Sequence, residues 1–191
     1  NRLIEDFMLL ANVRVSRYLA KPRGGEGLQE AATRTAVYRI HDRPDPEKLR
    51  QLRTFVAKFG LEMPKINPTN AESALRHLLQ AAADTNAENV VKTMAIRSMA
   101  KAEYSTQNIG HYGLAFPFYT HFTSPIRRYP DVLVHRLLQQ YIDGEKSASP
   151  GPLQGICQHS SNMEKRAAEA ERASIKYKQV EFLMTRLGET F

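Results

Sequence analysis

The chain has a single cysteine among 191 residues. An intrachain disulfide is therefore excluded, and the setting of Cys157 in LQGICQHS lacks the CxxC or Cys/His spacing of a zinc site. A reducing, cytoplasmic setting fits that usage. No apolar run approaches the roughly 20 residues that span a bilayer, so no membrane partner is expected. The opening residues lack the basic-then-apolar order of a secretory signal. They already follow a helical pattern and carry no initiating methionine, which leads to the expectation that the chain begins inside a longer one. Closely spaced aspartates of the kind two-metal phosphoryl chemistry needs are missing. The six histidines are scattered with no pair at one-turn spacing, and Gly24, Gly25 and Gly27 are not followed by the GK[ST] of a phosphate loop. Internal repeats are absent too.

What the chain has is charge of one sign. Its formal net charge is +7 and its pI about 9.6, which favours a polyanionic partner, nucleic acid or an acidic surface, without choosing between them. With 42% hydrophobic and 25% charged residues it has the composition of a globular domain.

Helical periodicity dominates the pattern. Between Arg2 and Leu19 the residues Ile4, Phe7, Met8, Ala11, Val15 and Tyr18 predict one buried stripe, with Glu5, Asn12 and Ser16 together on another face. KPRGGEGLQEAATR reads as an exposed loop and TAVYRIHD as a short strand. Asp45 before Pro46 predicts a capped helix start, with Leu49, Leu52, Phe55, Val56 and Phe59 inward and a stop at Gly60. Two more helices are expected over 71–83, opened by Asn70 and carrying Leu75, Leu78 and Leu79, and over 88–101, carrying Val91, Met94 and Ile96. Residues 103–130 lack a stripe and are rich in glycine, proline, aromatic and hydroxyl residues, which suits strands and shaped loops. A helix over 131–141, a linker and a long helix over 153–187 complete the reading. The last carries Ile156, Ser160, Met163, Ala167, Ala170, Ser174 and Tyr177, a seam of small residues that implies close packing against a neighbour.

The densest chemical constellation is YTHFTSPIRRYPD at 119–131. Its prolines set a turn and a helix start, so Arg127 and Arg128 fall near a helix N-terminus, where free N–H groups and the dipole favour an anion. A guanidinium there holds two phosphate oxygens in its planar fork. The bland alternative, equally weighted on local features, pairs one arginine with Asp131 and leaves the other in solvent. Glu5 and Asn12, two helical turns apart, share a face that can hydrogen-bond a ribose, against a plain solvated glutamate. Glu171 sits among alternating charges, where pairing along its helix is the ordinary expectation. His111 and His121 bracket GLAFPFY and meet only if that segment turns back.

HYGLAFPFYTHFTSPIRRYPDVLVHR resembles the signature region of the ribonuclease II superfamily, closest to its bacterial ribonuclease R branch. LIEDFMLLAN, YRIHDRPDPEKL and EKRAAEAER resemble three further motifs of that family in the same order. The resemblance implies an α+β, predominantly helical fold: the C-terminal part of an RNB-type catalytic domain over 1–187, with a few short strands. The closing GETF, 188–191, is similar to the first strand of a truncated OB-fold RNA-binding domain. The implied activity is processive hydrolysis of single-stranded RNA from the three-prime end to nucleoside monophosphates, with magnesium as cofactor. By the same resemblance Arg127 is the catalytic and RNA-binding phosphate-fixing arginine, Glu5 contacts ribose and Glu171 contacts the terminal nucleotide. The magnesium-binding aspartates and base-clamping aromatics of the family lie upstream of LIEDFMLLAN, so no metal is expected on this chain and the chain alone is expected to be inactive. The upstream half of the catalytic domain and the downstream OB-fold are its expected intramolecular partners. A non-catalytic RNA-binding module and a helical protein-interaction scaffold are the competing classes.

Overall fold

The computed structural model describes residues 2–20, 34–66 and 70–190. Most of KPRGGEGLQEAATR, with its three glycines, lies outside the described residues, as does Phe191. The helices are α1 (Arg2–Ala20), α2 (Pro46–Ala57), α3 (Ala71–Ala82), α4 (Glu88–Ser98), α5 (Tyr129–Ile142) and α6 (Pro150–Met184); the strands are β1 (Tyr38–Ile40) and β2 (Glu103–Ser105). The expected α+β, mainly helical class with a few short strands is what is found. Two compact units form, each around its own core.

The first unit comprises the described residues of Asn1–Ile40, Glu103–Asn108 and Phe116–Phe191. β1 and β2 pair antiparallel in the register Tyr38↔Ser105, Arg39↔Tyr104, Ile40↔Glu103. The core gathers Leu19, Val37, Tyr38, Tyr104, Val134 and Leu137 with Cys157. The N-terminal third of α6 is tied to β2 and the residue after it: Ser161 Oγ accepts from the Tyr104 N–H at 2.9 Å, and Gln154 Oε1 accepts from the Thr106 N–H at 2.8 Å.

Two periodicity readings are corrected in this unit. On α1, Ile4, Phe7, Met8 and Tyr18 are exposed, while Asn12, Val13, Ser16 and Leu19 are buried. The inward face is half polar because Asn12 satisfies groups of the 119–122 segment, a need that hydrophobic periodicity does not register. On α6 only Cys157 is buried, with Leu153, Ile156 and Ser160 partly covered; from Met163 onward every residue is exposed. The small-residue seam is therefore covered only at its start, where Ile156 packs on the core, and is exposed from Met163 to Tyr177.

Cys157 is 1% exposed, and burial pushes its thiol up to about 11. Since the thiolate is the reactive form, the native protein should react only very slowly with a chromogenic disulfide reagent at pH 8, and rapidly once urea unfolds it. Fast stoichiometric labelling without denaturant would contradict this packing.

The second unit comprises the described residues of His41–Ala102 and Ile109–Ala115. α2 begins as its sequence predicts: Asp45 Oδ1 accepts from the Glu47 N–H at 2.8 Å, a cap worth about 1 kcal/mol. Leu49, Leu52 and Val56 are buried against Leu75, Leu78 and Val91 of α3 and α4. Gly60 adopts φ +72° after the helix, which is the conformation that ends it. Phe59 and Ile96, expected inside, are 47% and 70% exposed: Phe59 lies past the last residue of α2, and Ile96 falls on the side of α4 away from its buried Val91, Ala95 and Ser98. Asn70 does not cap α3 through its side chain, whose Nδ2 instead donates to the Lys65 carbonyl.

His41 fastens the return of the chain into this unit. Its Nδ1 accepts from the Gly113 N–H at 3.0 Å, which leaves Nε2 as the protonated nitrogen that donates to the Ala100 carbonyl at 2.9 Å. The His111 ring stacks on it at 5.1 Å.

Candidate nucleic-acid interface

The SPIRRYPD segment folds as its prolines dictate. Arg127 and Arg128 N–H groups both donate to the Ser124 carbonyl, forming a tight turn, and Arg128 is the N-cap residue of α5 with Pro130 in its first turn. Asp131, fully buried, accepts from Arg128 Nε at 2.8 Å, from Arg128 Nη2 at 2.9 Å and from the Ser124 N–H at 2.8 Å. One carboxylate thus consumes the planar fork of Arg128 and one donor of the turn. Arg127 is exposed, and its side chain has neither hydrogen bond nor ion pair among the described residues. The two arginines have divided: Arg128 holds the turn, and Arg127 projects a free guanidinium beside a helix N-terminus.

Behind the turn lies a polar network that sequence reasoning missed. Asn12, 4% exposed, donates from Nδ2 to the Tyr119 hydroxyl at 3.2 Å and accepts the Phe122 N–H on Oδ1 at 3.0 Å. Tyr104 and His121 share a hydrogen bond at 2.8 Å through His121 Nδ1. The Arg39 guanidinium lies 4.6 Å from the centre of the Tyr104 ring and holds Glu164 in a two-point ion pair. Burial pushes the Tyr104 hydroxyl up to about 12, overriding the opposing influence of Arg39. The Phe122 ring stacks on His135 at 4.0 Å, and His135 Nε2 bonds the Phe122 carbonyl at 2.8 Å. Both ends of 119–124 are therefore fixed by side chains from α1 and α5.

The three residues expected at the site stand apart. Glu5 is exposed on α1, Arg127 on the turn and Glu171 on α6; no hydrogen bond or ion pair joins any two of them. Asn12 does not share an open face with Glu5, since both ends of its amide are taken within the fold, which removes it as a ribose contact. Glu171 has no ion pair along its helix, contrary to the ordinary expectation for its neighbourhood. His111 and His121 find separate partners, His41 and Tyr104.

Among the described residues no group of three or more His, Cys, Asp or Glu side chains is placed to hold a metal ion. Nor is any helix among them long and apolar enough to cross a membrane.

The chain is 38% identical over 195 residues to ribonuclease R 1 of Lactococcus lactis subsp. lactis (strain IL1403), covering all of this chain and 23% of that protein. It is 34% identical over 203 residues to ribonuclease R of Escherichia coli (strain K12), again over its whole length and 24% of the relative. The chain thus spans about a quarter of the curated relatives it matches. Among solved structures, Mycoplasma genitalium RNase R in complex with ribose methylated single-stranded RNA superposes with a TM-score of 0.83 at 28% identity, over 98% of this chain and 29% of that one. Yeast Ssd1, a pseudonuclease, shares the fold with a TM-score of 0.63 at 23% identity, over 82% of this chain and 19% of that one. Residues 1–144 match the family described as RNB domain, and with relatives of this kind along its whole length the chain belongs to the RNB family.

Proposed function

We propose that this segment serves a processive exoribonuclease that hydrolyses single-stranded RNA from its three-prime end to nucleoside monophosphates. The observation that carries the reading is the free Arg127 guanidinium on a turn locked by Arg128 and Asp131, in a chain similar to ribonuclease R from end to end. Relatives of known structure include Mycoplasma genitalium RNase R in complex with double-stranded RNA as well as single-stranded RNA. In this reading Arg127 fixes the phosphate near the scissile bond, Glu5 contacts a ribose and Glu171 contacts the terminal nucleotide. Magnesium is held by aspartates of an upstream half of the catalytic domain, and residues 188–191 open an OB-fold that follows. The enzyme works in the cytoplasm, and this segment alone does not cut RNA.

The test has two arms. The purified chain, incubated with single-stranded RNA and magnesium, should leave the RNA intact; adding the aspartate-bearing upstream segment should restore hydrolysis to mononucleotides. Product tracking with the chain alone overturns its inactivity. RNA binding without any hydrolysis after reconstitution favours a non-catalytic RNA-binding module. A scaffold for another protein predicts no RNA binding in either arm.

Glu171 gives a smaller, directional test. Its carboxylate is exposed and unpaired among the described residues, so its charge repels an RNA terminus unless it positions one. Glu171→Ala in the complete enzyme should tighten RNA binding or speed degradation severalfold, with little change in melting temperature because no ion pair is lost. A slower rate at saturating RNA would instead assign it to positioning, and a change confined to melting would remove it from the site.

A further inference from the structure

A cavity of about 740 Å³ lies within the second unit, between the loop after β1, the first turns of α2, the start of α3 and the Tyr112 turn. Sites for single small ligands commonly fall at ~300–1,000 Å³. Its wall combines two chemistries. Pro44, Ile66, Ala100 and Tyr112 supply apolar and aromatic surface. Arg43, Lys48, Arg53 and Lys65 supply positive charge, and none of the four has an ion pair among the described residues. A fifth cation, Arg50, is neutralised by Glu47.

The two carboxylates of the wall are occupied locally. Asp45 Oδ1 accepts from the Glu47 N–H at 2.8 Å and Asp42 Oδ1 accepts from the Arg43 N–H at 2.7 Å. They offset two of the four cations, leaving an excess of two positive charges. The Tyr112 hydroxyl is buried without a hydrogen-bond partner, a condition that native proteins rarely leave unanswered. On one side the Tyr112 ring stacks with His41, at 6.2 Å and 28° between planes, which fixes it as a rigid wall.

We propose that this cavity binds a nucleoside monophosphate. The phosphate, which carries roughly −1.5 to −2 charges at neutral pH, matches the excess of two and lies among Arg43, Lys48, Arg53 and Lys65. The base lies against Tyr112 and Ile66, where a flat ring gains contact that an inorganic anion does not. A single nucleotide suits a bounded cavity; a strand, with one charge per nucleotide, asks for cations spaced along a track. No residue of the Arg127 turn lines the cavity, so the inference stands without the nuclease reading.

The experiment is calorimetric titration of the full chain with adenosine 5′-monophosphate, inorganic phosphate, adenosine and a short oligoadenylate at fixed salt. The monophosphate should bind at least tenfold more tightly than phosphate or adenosine. Arg53→Glu combined with Lys65→Glu should weaken it at least tenfold, both positions being exposed and removed from the core. Should that pair alter the melting curve, Lys48→Gln, also exposed, replaces it with an expected severalfold loss. Ile66→Trp, which fills the cavity without changing charge, should weaken the monophosphate while leaving phosphate binding as it was. Arg53→Glu with Lys65→Glu reads monophosphate binding at the cavity, whereas Arg127→Lys in the complete enzyme reads RNA turnover, so failure of either reading is seen separately. Equal affinity for monophosphate and phosphate overturns the proposal, and an oligoadenylate that binds more tightly and depends equally on Arg53 and Lys65 reassigns the surface to a strand.

Discussion

Asp131→Ala is expected to lower stability by about 3–5 kcal/mol, the range found when one partner of a buried ion pair is removed. The carboxylate is wholly buried and receives three hydrogen bonds, two from Arg128 and one from the Ser124 N–H. Its loss leaves a guanidinium whose side chain is only 20% exposed and a backbone donor that is itself buried. Arg128 can swing partly toward solvent, which places the effect nearer the lower bound. Urea unfolding followed by circular dichroism measures it, provided the slope with denaturant is unchanged. A loss below about 1 kcal/mol would put the pair in the class of exposed ion pairs and remove the turn's anchor.

Arg127→Lys in the complete enzyme is expected to cut turnover on the order of a hundredfold while leaving stability unchanged. Lysine keeps the charge and loses the planar pair of donors that grips two phosphate oxygens. Arg128→Lys should show the opposite division: it loses one of two bonds to Asp131, so melting falls, while turnover at a temperature where the protein is folded changes far less. The crossing of the two effects is the test. Equal losses of turnover in both variants would contradict the assignment of the phosphate to Arg127.

The division of labour between these arginines was only half legible in the sequence. The prolines fix the turn and the helix start, and Asp131 is three residues beyond Arg128, within reach of its fork. Nothing local decides which arginine the carboxylate takes; the backbone of the turn does, by aiming Arg128 inward at the cap. The α2 helix was legible in full at its start, because Asp45, Pro46 and Glu47 are a local device. α1 was not. Its apolar stripe of Ile4, Phe7 and Met8 faces outward, and its buried face is organised by Asn12 around Tyr119 and Phe122, partners more than a hundred residues away. Periodicity reports that a face is apolar, not whether anything covers it, and the same holds for the exposed length of α6. The second-unit cavity was invisible for a related reason: its cations come from the loop after β1, from α2 and from the segment before α3, and only the fold brings them round one space.

The Asn12 clamp also sets a timetable for synthesis. Its two bonds close spans of 107 and 110 residues, so neither forms until the chain beyond Phe122 has been made. At ~5–20 residues per second, that delay is roughly 5–20 s for a nascent chain. During it α1 presents Leu3, Ile4, Phe7 and Met8 with no tertiary contact to Tyr119 or Phe122 to hold the helix in place, whereas the caps and neighbours of α2 to α4 lie within one short stretch and are available at once. The second unit is thus expected to gain protease resistance first on a stalled ribosome, and α1, although earliest to emerge, to gain it among the last.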